Sequence, residues 1–199
     1  MNSVVDEKQA IRECLTAARR GLRPSERVAE ATAIAKAVVS LPEWRTARRW
    51  FVYLSGPEEV DTTDLVDELL ARPATEVYAP VIVSRGIMEA RRLRDRSELR
   101  PGRFNIPAPL NGEAALLPFE AILTPGLGFT AAGERMGLGA GFYDRWFAAH
   151  PQGCRIALAY RCQIVSRLPT EDTDAPVHVL VTADGARRLN TPAGSRRET

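Results

Sequence analysis

Between Pro125 and Arg145 the chain reads Pro-Gly-Leu-Gly-Phe-Thr-Ala-Ala-Gly-Glu-Arg-Met-Gly-Leu-Gly-Ala-Gly-Phe-Tyr-Asp-Arg. The apolar run Ala121-Ile122-Leu123 precedes it and reads as a buried strand. Tyr143-Asp144-Arg145-Trp146-Phe147 follows and reads as the first turn of a helix. A strand, a glycine loop and a helix in that order point to a layered α/β fold. Gly137, Gly139 and Gly141 recur at every second position, which lets the backbone take positive φ and approach a ligand with no Cβ in the way. Free amides there, helped by the helix dipole, favour an anion such as phosphate. Arg135 supplies a guanidinium fork for phosphate oxygens, and Asp144 is an oxygen donor suited to Mg²⁺. The register is neither the dinucleotide fingerprint nor a P-loop. Taken alone, the glycines also fit a tight connection that holds no ligand.

The 199 residues suit one domain with a real core. A formal charge of +2 gives no electrostatic case for nucleic acid or an anionic membrane, despite the arginine run from Arg19 to Arg27. No apolar run reaches the roughly 20 residues needed to span a bilayer, so no membrane partner is expected. Cys14, Cys154 and Cys162 show no C-x-x-C pairing and read as reduced thiols of a cytoplasmic protein. His150 and His178 complete no hydrolase-type arrangement.

In chain order, a first helix is expected over about Val5–Ala18, with Ser3 and Asp6 at capping-box spacing. Lys8 and Arg12 sit four apart on one of its faces, which by itself reads as a solvated basic stripe. Ser25 is expected to cap a second helix that buries Val28, Ile34, Ala35 and Val38 and ends at Pro42. Trp50–Leu54 reads as a buried strand, followed by Glu58, Glu59 and Asp61 and a helix from Thr62 or Thr63 to Leu70. Further strands are expected at Glu76–Val81, Met88–Leu93, Phe119–Thr124, Arg155–Tyr160 and Val177–Thr182, alternating with helices in a mainly parallel sheet.

The string Pro-Gly-Leu-Gly-Phe-x-x-x-Gly-x-Arg-Met-Gly-x-Gly-x-Gly-Phe-Tyr-Asp-Arg resembles the signature of the 5-formyltetrahydrofolate cyclo-ligases, also called methenyltetrahydrofolate synthetases. The resemblance extends from about Lys8 to about Thr182. It implies a single three-layer α/β/α domain over residues 1–184, with a mainly parallel sheet of the NagB/RpiA/CoA-transferase-like kind. A polar, disordered tail is expected over 185–199. The activity implied is conversion of 5-formyltetrahydrofolate and ATP into 5,10-methenyltetrahydrofolate, ADP and phosphate, by a monomeric cytoplasmic enzyme acting on small molecules.

Carried over residue by residue, the resemblance gives Lys8 and Arg12 a place at the nucleotide phosphates. Arg135, Met136, Gly137, Leu138, Gly139, Ala140, Gly141, Phe142 and Tyr143 form the rest of the nucleotide site, with Arg135 and Tyr143 as catalytic groups. Leu54, Glu59 and Phe142 are implied for the folate, with Glu58 the competing register. Phe142 and Tyr143 also fit plain core aromatics at a helix start. Asp144 and Asp174 are implied as Mg²⁺ ligands, with Glu171 and Asp172 as the nearest alternatives to Asp174. Two positions depart from the family pattern: Ala108 stands where a Glu is common, and Thr130 where an Asp is usual. They keep open a second reading, a non-catalytic folate- or nucleotide-binding relative with a regulatory or storage role.

Overall fold

The computed structural model describes residues 4–115, 118–171 and 173–189. Its helices are α1 (Val4–Arg20), α2 (Pro24–Val39), α3 (Pro42–Thr46), α4 (Thr63–Leu70) and α5 (Phe142–Ala149). Its strands are β1 (Arg49–Phe51), β2 (Glu76–Ser84), β3 (Ile87–Leu93), β4 (Arg100–Pro101), β5 (Pro107–Ala108), β6 (Ala121–Thr124), β7 (Gly128–Thr130), β8 (Arg135–Met136), β9 (Cys154–Leu158), β10 (Ile164–Val165), β11 (Val179–Thr182) and β12 (Gly185–Arg188).

Among the described residues, seven strands form the main sheet in the order β12-β11-β9-β6-β1-β2-β3. The five inner strands are parallel, as expected, and both edge pairs are antiparallel. Successive residues of the inner strands face opposite layers, the period-2 rule of a strand. Trp50, Ala121, Leu123, Ile156 and Leu158 pack with Ile34, Val38, Trp44, Leu65 and Leu69 from α2, α3 and α4. Phe51 and Ile122 face the other way, against Phe119 and against Trp146 and Phe147 of α5. Helices therefore cover both faces, which gives the expected α/β/α layering and explains why β1 and β6 read as continuous apolar runs.

Several local expectations need correction. Gly185–Arg188, assigned to a disordered tail, pairs with β11 as a hairpin edge strand; residues 190–199 lie outside the described residues, as does Ser3. β2 and β3 form an antiparallel hairpin with no helix between them. Arg23, not Ser25, is the N-cap of α2: Pro24 occupies the first turn, and the Glu26 carboxylate accepts the Arg23 N–H at 2.9 Å. Val28 is 67% exposed; six residues before Ile34, it points about 240° around the helix from the buried stripe. Pro42 opens α3 rather than ending α2, which stops at Val39. Among the described residues no helix is long and apolar enough to cross a membrane.

Trp50 is the central buried side chain of the first layer, edge-on to Trp44 at 5.3 Å and donating its indole N–H to the Ala47 carbonyl at 3.1 Å. Trp50→Ala should lower unfolding free energy by about 3–5 kcal/mol, the cost of emptying such a site. Urea denaturation checks this; a loss near zero would mean that the layer packs differently.

Candidate functional site

The Pro125–Gly141 stretch reads in sequence as one open loop, but the structure divides it. Residues 128–136 form a tight β-hairpin in which Phe129 of β7 faces Arg135 of β8. The Leu127 N–H donates to the Met136 carbonyl at 2.7 Å. β10 adds to β7 in parallel. Behind them, the buried Gln163 amide donates to the carbonyls of Gly126 at 2.8 Å and Leu127 at 3.2 Å, and its oxygen accepts the Tyr160 N–H at 2.9 Å. Arg135 therefore projects from a braced ladder, and only residues 137–141 remain as glycine loop. Gly139 (φ 101°) and Gly141 (φ 63°) take positive φ, but Gly137 does not. Gly137 instead leaves room for Arg135: a Cβ there would lie 3.3 Å from Nη1. Thr130 is buried, and its hydroxyl accepts the Glu134 N–H at 3.2 Å. The hydroxyl at this departure from the family pattern thus orders the hairpin turn.

Two ion pairs organise the charges. Arg135, 4% exposed, donates to the Asp144 carboxylate and to the Pro125 carbonyl at 3.3 Å. Its Nε has no hydrogen-bond partner among the described residues. Lys8 reaches across from α1 to Asp174 at 2.7 Å and Glu171 at 3.2 Å. Burial works against the Lys8 charge, but hydrogen bonds to Asp174 and Glu171 outweigh it, and the ammonium titrates above the ordinary lysine range. The Asp144 carboxylate also accepts the Ala175 N–H at 3.3 Å, which sets it against the backbone that follows Asp174. Glu171 is more exposed than Asp174 and shares the same lysine; Asp172 lies outside the described residues. Arg12 donates to the Gly137 carbonyl at 3.3 Å and lies 3.5 Å from where a Cβ on Gly139 would sit. The shared face of Lys8 and Arg12 is thus turned to the site rather than to solvent.

Beside the glycine loop lies a cavity of about 440 Å³. Its wall joins Arg135, Gly137, Leu138, Ala140, Gly141, Tyr143 and Asp144 to Leu54, Glu59 and Phe142. The phosphate-side and folate-side candidates thus share one space. Met136, Gly139, Lys8, Arg12 and Asp174 stand outside its lining; Arg12 and Leu138 border a second groove, of about 600 Å³, along α1. Glu58 and Glu59 have different partners. Glu58 turns out to Arg19 at 3.4 Å and Arg20 at 2.7 Å, while Glu59 lines the cavity and accepts the Gly56 N–H at 2.8 Å.

Sequence reading missed Tyr53, Ile82, Met88, Arg103 and Phe104, which also line the cavity. Tyr53 was legible only as a strand residue. Phe104 carries no local signal for its φ of 57°, which sets an exposed aromatic at the cavity. Ala108 is buried in the same wall. Phe142 and Tyr143 both pack against the aromatic core and line the cavity. Tyr143 packs on Phe51 at 6.2 Å and Phe147 at 5.7 Å, yet lines the cavity. Its buried hydroxyl has no partner among the described residues, and burial together with the Glu59 charge raises its pKa well above the ordinary tyrosine value. His150 packs against Trp146 with ring centres 4.9 Å apart and planes tilted by 60°, and His178 Nδ1 accepts the Arg155 N–H at 3.0 Å, so both have structural partners.

Residues 4–183 match the model of the 5-formyltetrahydrofolate cyclo-ligase family. The chain belongs to that family. The enzyme class expected from the glycine signature is thereby borne out. The 5-formyltetrahydrofolate cyclo-ligase of Escherichia coli (strain K12) is 32% identical over 171 residues, covering 82% of this chain and 93% of the relative. The mitochondrial cyclo-ligase of Arabidopsis thaliana is 26% identical over 213 residues, covering 93% and 77%. Among solved structures, the 5,10-methenyltetrahydrofolate synthetase of Aquifex aeolicus superposes with a TM-score of 0.81 at 29% identity, over 96% of this chain and 99% of that one. The Mycoplasma pneumoniae synthetase, at 19% identity and a TM-score of 0.72 over 88% and 98%, shares the cyclo-ligase fold.

Because the Tyr143 hydroxyl is buried without a partner, Tyr143→Phe should leave the protein equally stable or more stable by about 1 kcal/mol. Denaturant unfolding checks this; a loss of similar size would mean that the hydroxyl makes a bond in the folded state.

Proposed function

We propose that this cyclo-ligase converts 5-formyltetrahydrofolate to 5,10-methenyltetrahydrofolate with ATP as co-substrate and Mg²⁺ as cofactor. The observation that carries the reading is the single cavity in which Arg135, the glycine loop and Asp144 face Leu54, Glu59 and Phe142. A formamide oxygen is a poor leaving group. When it attacks the γ-phosphorus of ATP, an O–P bond forms and ADP departs. The N10 lone pair of the same molecule then adds to the activated carbon, the C–O bond breaks, phosphate leaves, and N10 gives up its proton. Nucleophile and electrophile belong to one molecule, so the protein's work is to position them and to neutralise charge.

The residues suit that work. Among the described residues the buried Arg135 Nε and the Tyr143 hydroxyl have no hydrogen-bond partner. Loop amides, Arg12 and Lys8 supply further donors on the phosphate side. Leu54, Phe142 and Glu59 offer apolar surface and a carboxylate on the folate side. For Mg²⁺ the donor chemistry fits: Asp144 and Asp174 are hard oxygen donors, and Asp144 reaches the Ala175 N–H that follows Asp174. Bound there, the ion would neutralise charge developing on the phosphates. The non-catalytic alternative rested on Ala108 and Thr130. Ala108 adds only a methyl group to the wall, and Thr130 performs its turn-ordering role without an acid, so both are compatible with turnover. Three unpaired cysteines, with burial raising the Cys154 thiol to about 11, support a cytoplasmic setting. We propose action as a monomer.

Absorbance of the methenyl product, followed with and without ATP and Mg²⁺, tests the activity; product formed without nucleotide, or none with it, counts against it. Asp144→Asn should raise the Mg²⁺ concentration for half-maximal rate about tenfold, as loss of one charged ligand contact does. An unchanged metal titration would remove Asp144 from the site. Glu59→Gln should raise KM for the folate with little change for ATP, whereas Glu58→Gln should alter neither. An ATP-side defect from Glu59→Gln would contradict its place.

A further inference from the structure

Arg145 closes the glycine signature, yet it does not line the cavity and the reaction proposed above gives it no part. Its side chain, though exposed, makes two hydrogen bonds to backbone. Nε donates to the Gly86 carbonyl at 3.0 Å, and Nη2 donates to the Ala140 carbonyl at 2.6 Å. The guanidinium lies 5.6 Å from the centre of the Phe142 ring. Gly86 is at the tip of the β2–β3 hairpin, whose Ile82 and Met88 line the cavity. Ala140, Gly141 and Phe142 line the opposite part of the wall. One planar fork thus spans a hairpin and a loop that no backbone hydrogen bond joins among the described residues.

The glycines are shaped around it. A Cβ on Gly141 would lie 2.8 Å from Nη1, and one on Gly86 would lie 3.4 Å from Nη2. Both positions also hold positive φ. A Cβ on Gly141 would displace the guanidinium from this position, and the positive φ there shapes the turn into α5. A lysine could not replace this fork, because its single ammonium lacks the fixed spread of donors that reaches two carbonyls at once.

We propose that Arg145 is a positioning residue that ties the folate wall to the phosphate loop, so that both are ordered before either substrate arrives. This rests on the reading that the two substrates share the cavity. Ordering two segments in advance lowers the entropy cost of binding each partner. Arg145 does not line the cavity, so its loss should fall on KM for both substrates and spare kcat.

The test compares wild type, Arg145→Ala and Arg145→Lys by amide hydrogen exchange and by steady-state kinetics. In Arg145→Ala, amides 83–87 and the residue-145 amide, which donates to the Gly141 carbonyl at the end of the loop, should both exchange about fivefold faster after correction for intrinsic rates, the scale of one net hydrogen bond. KM for ATP and KM for the folate should both rise, with kcat unchanged. Arg145→Lys, which keeps the charge and the stem and guards against a folding defect, should fail to restore protection in both segments together. Loosening of one segment alone, a KM change for one substrate alone, or full rescue by lysine would overturn the proposal. The exchange measurement needs no turnover, so a protein without cyclo-ligase activity but with coupled loosening would fail the proposed function and keep the tether.

Discussion

The site depends on a buried guanidinium that must always have a negative partner. Arg135 stands on a short ladder strand, almost fully removed from water, where an unpaired charge would be prohibitively unstable. Asp144, from the first turn of α5, supplies the partner, and its position at a helix N-terminus suits a carboxylate. Lys8 and Asp174 repeat the arrangement next to it. The cleft is thus close to charge-balanced by itself. Under the proposed function, Asp144 and Asp174 would hold the metal and Arg135 and Lys8 would meet phosphate oxygens, so that little net charge would be left buried.

Everything around these pairs limits their movement. The β7–β8 hairpin, braced by Gln163 and extended by β10, fixes where Arg135 leaves the backbone. The apolar layer of Phe51, Phe119, Trp146 and Phe147 fixes α5 and hence Asp144. On the other side, the Tyr53 hydroxyl donates to the Val60 carbonyl at 2.9 Å and the Tyr160 hydroxyl to the Glu59 carbonyl at 3.0 Å. Those bonds hold the acidic segment so that Glu59 lines the cavity while Glu58 is engaged by arginines. A neighbouring pair of identical residues thereby acquires two different environments.

How much of this was legible in the sequence follows from the range of the forces involved. The inner strands showed themselves because burial on both faces demands uninterrupted apolar residues. The glycine loop showed itself because positive φ at Gly139 and Gly141 leaves few other choices. What escaped depended on partners distant in sequence. Arg188 is polar, and only its pairing with Val179 of β11 makes it part of a strand. Ser25 looks like a cap, but Pro24 had already set the first turn one residue earlier. The cavity role of Phe104 follows from a backbone conformation that nothing nearby in the sequence announces. Lys8 and Arg12 show the same limit in reverse: their spacing gave a shared face, and only the resemblance said what that face meets.

The most direct measurement is a crystal structure with Mg²⁺ and a non-hydrolysable ATP analogue. The expected result is an exchange of partners, with Arg135 and Lys8 on phosphate oxygens and Asp144 and Asp174 on the metal. A nucleotide bound elsewhere, with the Arg135–Asp144 and Lys8–Asp174 pairs both intact, would contradict it.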